Sequence, residues 1–185
     1  MATFIGNSNE YMNWADLMHI LENIPPRLRG SDQNDDIHID NPKVEALIKI
    51  WEKAGYVDNE SVQWIDFLPV DHFPQCWVDK FATYVNIKPA GCWVSAVPPG
   101  HLVPWHPDYK MPQQEKELLS PGTPVHYTVH ICEPSFGQVL IVNDHAIYNP
   151  AQGDVYKWDN WQDWHGGMNM GTKTKYLFNF FGWPK

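Results

Sequence analysis

The sequence predicts a mainly β (α+β) fold. Residues 91–185 should form a double-stranded β-helix, the two-sheet jelly roll, and a mostly helical stretch over residues 1–90 should brace one of its sheets. Together they make a single domain, 1–185. Three observations carry this expectation. The hydrophobic period changes after Pro89 from helical spacing to strand alternation. The second half then breaks into seven or eight short alternating runs, punctuated by Gly, Pro, Asn and Asp. Ten tryptophans and sixteen prolines in 185 residues suit short strands with aromatic walls. A chain of this length can bury one complete core.

In chain order, a first helix starts at Asn13 or Asp16, runs through Trp14, Leu17, Ile20 and Leu21, and is stopped by Pro25-Pro26. Arg27 to Asn41 is polar and rich in Gly, Asp and Asn, which reads as a surface loop. Its His38-Ile39-Asp40 has no further ligand-type residue at a useful distance and reads as loop polarity. Asn41 caps a second helix that Pro42 opens; Val44, Leu47, Ile48 and Trp51 share its apolar face and Gly55 ends it. Val62 to Leu68 is a short strand. Asp71-His72-Phe73-Pro74 is a loop in which the Asp and His hydrogen-bond locally. Gln75 to Val85 is a third helix with Trp77, Phe81 and Tyr84 on one side.

Beyond Pro89, Cys92 to Val97 is a strand, Pro98-Pro99-Gly100 a turn, and Leu102 to Asp108 extended. Lys110 to Pro124 is a Glu/Gln/Pro-rich loop, a candidate lid or substrate loop. Val125 to Cys132 and Gln138 to Val142 are strands. Asn143-Asp144 is a two-residue hairpin turn, and His145 to Tyr148 returns. Asp154 to Trp158 follows the break at Gly153, and Tyr176 to Gly182 is the last strand. This strand count and spacing suit a jelly roll of the cupin kind.

Composition excludes several classes. At 43% hydrophobic residues the chain is globular. A net charge of −9 argues against a nucleic-acid partner, which needs a basic footprint. Cys76, Cys92 and Cys132 are widely spaced and form no CxxC pair, so neither a disulfide framework nor a zinc ribbon is expected. No leader-like N-terminus and no membrane-length apolar run is seen, so the expected location is cytoplasmic.

The chemistry concentrates between Ser95 and Lys175. His106 and Asp108 are two apart on an extended segment, so both side chains point the same way. His165 lies on a distant segment, before Gly166-Gly167, where backbone can approach closely. Two histidines and one carboxylate on one face form the facial triad that suits Fe(II) and leaves coordination positions open. His106, Asp108 and His165 are therefore the candidate metal ligands. Lys175 stands ten positions after His165 at the head of the apolar run Tyr-Leu-Phe-Asn-Phe-Phe. An ammonium there suits the far carboxylate of a dicarboxylate cosubstrate. Lys173 is the alternative anchor, and snorkelling at a sheet edge is the structural alternative for Lys175. In the strand Val125 to Cys132, His126, Thr128, His130 and Cys132 share one face, which is either a ligand pocket or a solvent face. Trp93, Trp105, Trp161 and Trp164 lie near the candidate ligands in sequence and either wall the cavity or pack in the core.

These residues resemble the aspartyl/asparaginyl β-hydroxylase-type family of Fe(II)- and 2-oxoglutarate-dependent oxygenases, over residues 93–184. Pro99-Gly100 precedes His106 as in the family's PG…H element. The run Gly153 to Asn160 is similar to its Gly-led strand before the second metal histidine, and His165 and Lys175 share the spacing of its His and cosubstrate-binding Arg. Tyr-Leu-Phe-Asn-Phe-Phe-Gly-Trp183 resembles its closing strand. The resemblance implies His106 and His165 as iron ligands, Lys175 as the 2-oxoglutarate salt bridge, and Ser95 as a hydrogen-bond partner of its carboxylate. The family's Arg-x-His pair falls on Thr128 and His130 in one register and on His126 and Thr128 in the other. Asp108 completes a triad that some members lack, which favours hydroxylation over halogenation. Lys replaces Arg at 175, and neither register supplies a second Arg.

The leading expectation is thus an Fe(II)/2-oxoglutarate dioxygenase that uses molecular oxygen to hydroxylate a C–H of an amino acid, a peptide residue or a similar small molecule. A cupin enzyme with the same triad but no 2-oxoglutarate would make Lys175 dispensable. A non-catalytic metal- or ligand-binding cupin-like module would bind without turnover.

Overall fold

The computed structural model describes residues 2–21, 23, 27–30, 42–56, 61–67, 74–107, 124–160 and 163–185. Its elements in chain order are β1 (Thr3–Asn7), α1 (Trp14–Leu21), β2 (Arg27–Gly30), α2 (Pro42–Lys53), β3 (Gln63–Phe67), α3 (Gln75–Tyr84), β4 (Ile87–Val97), β5 (Leu102–His106), β6 (Val125–His130), β7 (Gln138–Val142), β8 (His145–Tyr148), β9 (Asp154–Trp158), β10 (His165–Asn169) and β11 (Lys175–Pro184). They form two antiparallel sheets. The large one runs β1-β9-β6-β11-β4-β3-β2 and the small one β5-β10-β7-β8. From β4 onward the chain passes back and forth between the sheets, which is the winding of a double-stranded β-helix. The fold is mostly β, a jelly roll of the cupin kind.

Strand β11 pairs with β4 along its whole length and with β6 over Leu177 to Gly182. Its alternate residues divide the protein into two layers. Phe178 and Phe180 join Val94, Val129 and Val155 on the outer face, where Trp14 and Leu17 of α1 and Phe81 of α3 cover them. The opposite face looks toward the small sheet. There Leu177 and Trp158 meet Leu140, Val142 and Ile147 in a second, smaller core. The helices α1 and α3 thus brace one sheet, as expected.

The remaining expectations differ at specific places. Arg27 to Gly30, read as loop, is strand β2, paired with β3 at the sheet edge. Strand β1, not expected, pairs with β9 at the other edge, so the stretch before residue 90 supplies three strands besides its helices. Strand β4 starts at Ile87 rather than Cys92, and the distant strand expected to carry His165 is β10, for which the sequence reading gave no bounds. Strands β7, β8 and β9 match the sequence reading, and Asn143 in the hairpin between β7 and β8 has φ 51°. The loop residues 110–123, His38 to Asp40 and Asp71-His72 lie outside the described residues. All three cysteines are free thiols. Among the described residues no helix is long and apolar enough to cross a membrane.

Phe81 is the most connected ring of the outer core. It meets Trp14, Tyr127, Phe178 and Phe180 with centroids 5.0 to 6.4 Å away and is fully buried. Phe81→Ala should lower stability by about 3–5 kcal/mol through lost burial and the cavity left behind. Urea unfolding followed by tryptophan fluorescence would measure it.

Candidate active site

The small sheet brings two of the expected ligands together. His106 ends β5 and His165 begins β10, and the two are register partners. Their ring centroids are 4.5 Å apart. His106 Nδ1 donates to the Pro104 carbonyl at 2.7 Å, and His165 Nδ1 donates to the Asp163 carbonyl at 2.8 Å. A ring whose Nδ1–H is held by a carbonyl carries its lone pair on Nε2, the tautomer a metal needs. Helix α2 supports this end of β5. The Trp51 indole N–H donates to the Trp105 carbonyl at 3.1 Å, and its ring stands edge-on to His106 at 6.1 Å. Asp108, two residues past the end of β5, lies outside the described residues. Among the described residues no group of three potential metal ligands occurs.

The large sheet faces this pair with a polar surface. His126, Thr128 and His130 of β6 are all buried on the face turned toward the small sheet, so this is not a solvent face. His126 lies 5.8 Å from His165 and 4.1 Å from Trp158 by ring centroids. Thr128 donates to Asn179 Oδ1 at 2.8 Å, and Asn179 Nδ2 donates to Ser95 Oγ at 3.2 Å. Trp93 Nε1 donates to the same Ser95 oxygen at 3.0 Å. Deeper along the face, His130 Nε2 lies 3.4 Å from Cys132 Sγ.

Lys175 projects from β11 across the interior, with only 1% of its surface exposed. Its ammonium donates to the Val139 carbonyl of β7 at 2.6 Å. It also sits over Gly167 of β10, where a Cβ would come within 2.9 Å of Nζ and 2.8 Å of the Val139 oxygen. Gly167 is therefore needed for close approach and not for its backbone angles. Burial lowers the Lys175 pKa to about 7. His130 is pushed down to about 3, first by burial and then by the nearby Lys175, so it is a neutral ring. Lys173, the alternative anchor, is exposed and lies 3.9 Å from Glu133.

His165 and Gly167 are alternate residues of one strand, so the histidine pair and the Lys175 ammonium stand about 7 Å apart along β10. That is the length scale of a five-carbon dicarboxylate. The interior also holds buried polar atoms without hydrogen-bond partners among the described residues, including His130 Nδ1 and Trp158 Nε1. Such atoms mark places where a polar ligand or water belongs. Of the expected cavity-wall tryptophans, Trp93 is on this face. Trp105, beside His106, turns to the opposite face and stacks on Trp164 at 6.3 Å. Trp161 lies outside the described residues. Trp51, Trp158 and Asn179 were not singled out for the site from sequence. The one available signal was Asn179, a polar residue inside an apolar run.

No protein-family model matches the chain, and no curated protein matches it. Solved structures with a similar fold include a 2-oxoglutarate–Fe(II) oxygenase-family oxidoreductase from Burkholderia pseudomallei, at 13% identity and TM-score 0.45, covering 91% of this chain and 77% of that one. A prolyl-4-hydroxylase from Pseudomonas putida is similar at 11% identity and TM-score 0.42, covering 93% and 99%. A predicted oxalate decarboxylase from Thermotoga maritima is similar at 13% identity and TM-score 0.41, covering 65% and 81%.

The buried lysine makes a pH prediction. Its folded pKa of about 7 lies below the ordinary 10.5, so the unfolded chain binds more protons between those values. The cost of the buried ammonium is fully present below pH 7 and fades as pH rises toward 10.5. Wild type should therefore gain on the order of 2 kcal/mol between pH 7 and 9 relative to Lys175→Met. Urea midpoints of both proteins across that range would check it.

Proposed function

We propose that this protein is an Fe(II)- and 2-oxoglutarate-dependent oxygenase, akin to the aspartyl/asparaginyl β-hydroxylases, that hydroxylates a C–H bond of an amino acid, free or within a peptide. The observation that carries the reading is the pairing of His106 with His165 on adjacent strands, with the ammonium of Lys175, from β11, over Gly167 two residues beyond His165. The donor set fits the metal. Two imidazoles, each fixed by a carbonyl at Nδ1, would hold Fe(II) through Nε2, and Asp108 would supply the carboxylate of the triad. When bound, Fe(II) with 2-oxoglutarate and oxygen supplies the oxidation of the C–H bond, releasing succinate and CO2.

The chain's own residues do the rest. Lys175 holds the far carboxylate of the cosubstrate. Val139 takes one of its three N–H groups, and two remain for the ligand. Gly167 leaves room for the ammonium against β10. Ser95, His126, Thr128 and neutral His130 line the large-sheet side, with Ser95 and His130 both opposite Leu177, two residues from the anchor. The buried location keeps bulk water away from the reacting centre, so these hydrogen bonds act in a low-dielectric setting.

Anaerobic addition of Fe(II) and then 2-oxoglutarate should produce the visible iron-to-ketoacid charge-transfer band. His106→Ala should abolish iron binding, whereas Lys175→Ala should keep iron and weaken 2-oxoglutarate by about tenfold or more. A carboxylate needs the protonated amine, so 2-oxoglutarate affinity should also fall as pH rises above about 7. Iron binding with no response to 2-oxoglutarate would transfer the protein to the cupin reading without that cosubstrate.

A further inference from the structure

We infer that Trp51 is a positioning residue: through one hydrogen bond, helix α2 locks a β-bulge in β5, and that bulge is what turns His106 toward the interior. The role of His106 as a metal ligand rests on the oxygenase reading above.

The bulge shows in the register. Val103 is opposite Gly167, and His106 is opposite His165. Between these pairs β10 has one residue, Gly166, and β5 has two, Pro104 and Trp105. Two residues against one is the count of a β-bulge. Its effect on the site follows from alternation. Gly167 is on the inner face, since a Cβ there would meet the Lys175 ammonium. Its partner Val103 shares that face. A regular strand would next bring Trp105 to the inner face and send His106 outward. The extra residue exchanges them. His106 pairs with His165 on the inside, and Trp105 stacks on Trp164 on the other side.

The local residues permit this geometry. Pro104 has no N–H to give to a ladder, which suits a bulged position. Gly166 lies close against it: a Cβ there would come within 2.9 Å of the Val103 oxygen and 3.2 Å of the Pro104 oxygen. Permission alone does not hold the bulge, because β5 is the edge of the small sheet and is paired within it to β10 alone. Both carbonyls of the bulge are engaged. The Pro104 oxygen accepts from His106 Nδ1 at 2.7 Å, and the Trp105 oxygen accepts from Trp51 Nε1 at 3.1 Å. The second bond ties the bulge to a separate element, since Trp51 is buried on α2, 54 residues earlier in the chain. Its ring also stands edge-on to the His106 ring. Without the indole N–H the Trp105 carbonyl loses this partner, and the regular register, with Trp105 inward, becomes competitive.

The test is Trp51→Phe, which keeps a ring and removes the N–H. Metal-free protein in mildly alkaline solution is read first, by long-range 1H–15N NMR of the His106 ring. Wild type should show the Nδ1–H tautomer that the Pro104 carbonyl holds, and the variant a shift toward the Nε2–H form. Co(II) alone is then titrated in, and its visible bands report affinity and coordination geometry. The variant should bind Co(II) about tenfold more weakly, with altered bands. Phe81→Leu, in the core on the other face of the large sheet, is the stability control and should keep the wild-type tautomer and Co(II) affinity. A wild-type tautomer in Trp51→Phe would overturn the inference. So would wild-type Co(II) affinity there, or an equal loss in Phe81→Leu. If Trp51→Phe does not fold, Gly166→Ala presses a methyl on the same bulge and must produce the same two changes. Wild type that takes up no Co(II) sinks the metal reading alone, because the tautomer of metal-free His106 still decides this inference.

Discussion

The pairing of β11 on both of its edges is the constraint on which the rest of the structure depends. A strand hydrogen-bonded to β4 and β6 at once has one register, and that register assigns every side chain to a face. A slip by one residue would exchange Phe178 and Phe180 for Lys175 and Asn179 on the side that α1 and α3 cover. The aromatic cluster around Phe81 opposes that slip, because those rings are buried only in the observed register. Burial on the outer face therefore holds the polar residues on the inner one. The apolar core and the candidate site are two sides of the same strand.

The inner face is expensive in free energy and carries little of the packing that stabilises a β-sandwich. A buried ammonium, two buried imidazoles on β6 and an amide–hydroxyl chain occupy positions where aliphatic residues would pack. Part of that cost is offset locally. Lys175 meets the Val139 carbonyl, and Asn179 satisfies Thr128 and Ser95. His130 avoids charge altogether, since burial and Lys175 both disfavour its protonation. His130 Nδ1 and Trp158 Nε1 have no partner among the described residues. A fold selected only for stability would have little reason to keep them there, whereas a polar ligand gives them one.

Much of this was legible in the sequence, and the omissions have physical causes. Strands β7, β8 and β9 alternate clearly and are bounded by turn residues, so their limits could be read directly. His106 and His165 were legible through local signals, the i, i+2 spacing of His106 from Asp108 and the Gly-Gly that follows His165. The extent of strand β10 was not, because His-Gly-Gly-Met-Asn has weak strand propensity. It is a strand because β5 and β7 flank it. Strands β1 and β2 lie at sheet edges, where backbone pairing matters more than a hydrophobic pattern. The Gly166-Gly167 pair was legible as a point of close approach, but the atoms that Gly167 accommodates were not, since they come from Lys175 on the other sheet and from β7. Asn179 stood in plain view within an apolar run, but its partners are 51 and 84 residues away.

The exchange of Arg for Lys at position 175 takes on a different meaning once the interior is seen whole. A guanidinium brings charge and a directional fork together, whereas an ammonium brings charge alone. Here the two functions can be divided between residues. Lys175 supplies the charge, seated against Val139 and above Gly167. On the oxygenase reading, direction would come from Ser95, whose oxygen is fixed in place by two donors, Asn179 and Trp93. Division has a structural consequence. The charge depends on the separation of the two sheets, because Lys175 must cross from β11 to β10. The direction depends only on the large sheet, where Ser95, Asn179 and Thr128 sit on β4, β11 and β6 in fixed register. Small movements between the sheets would then alter the reach of the ammonium while leaving the chain Ser95–Asn179–Thr128 in place. A single arginine could not separate those two properties.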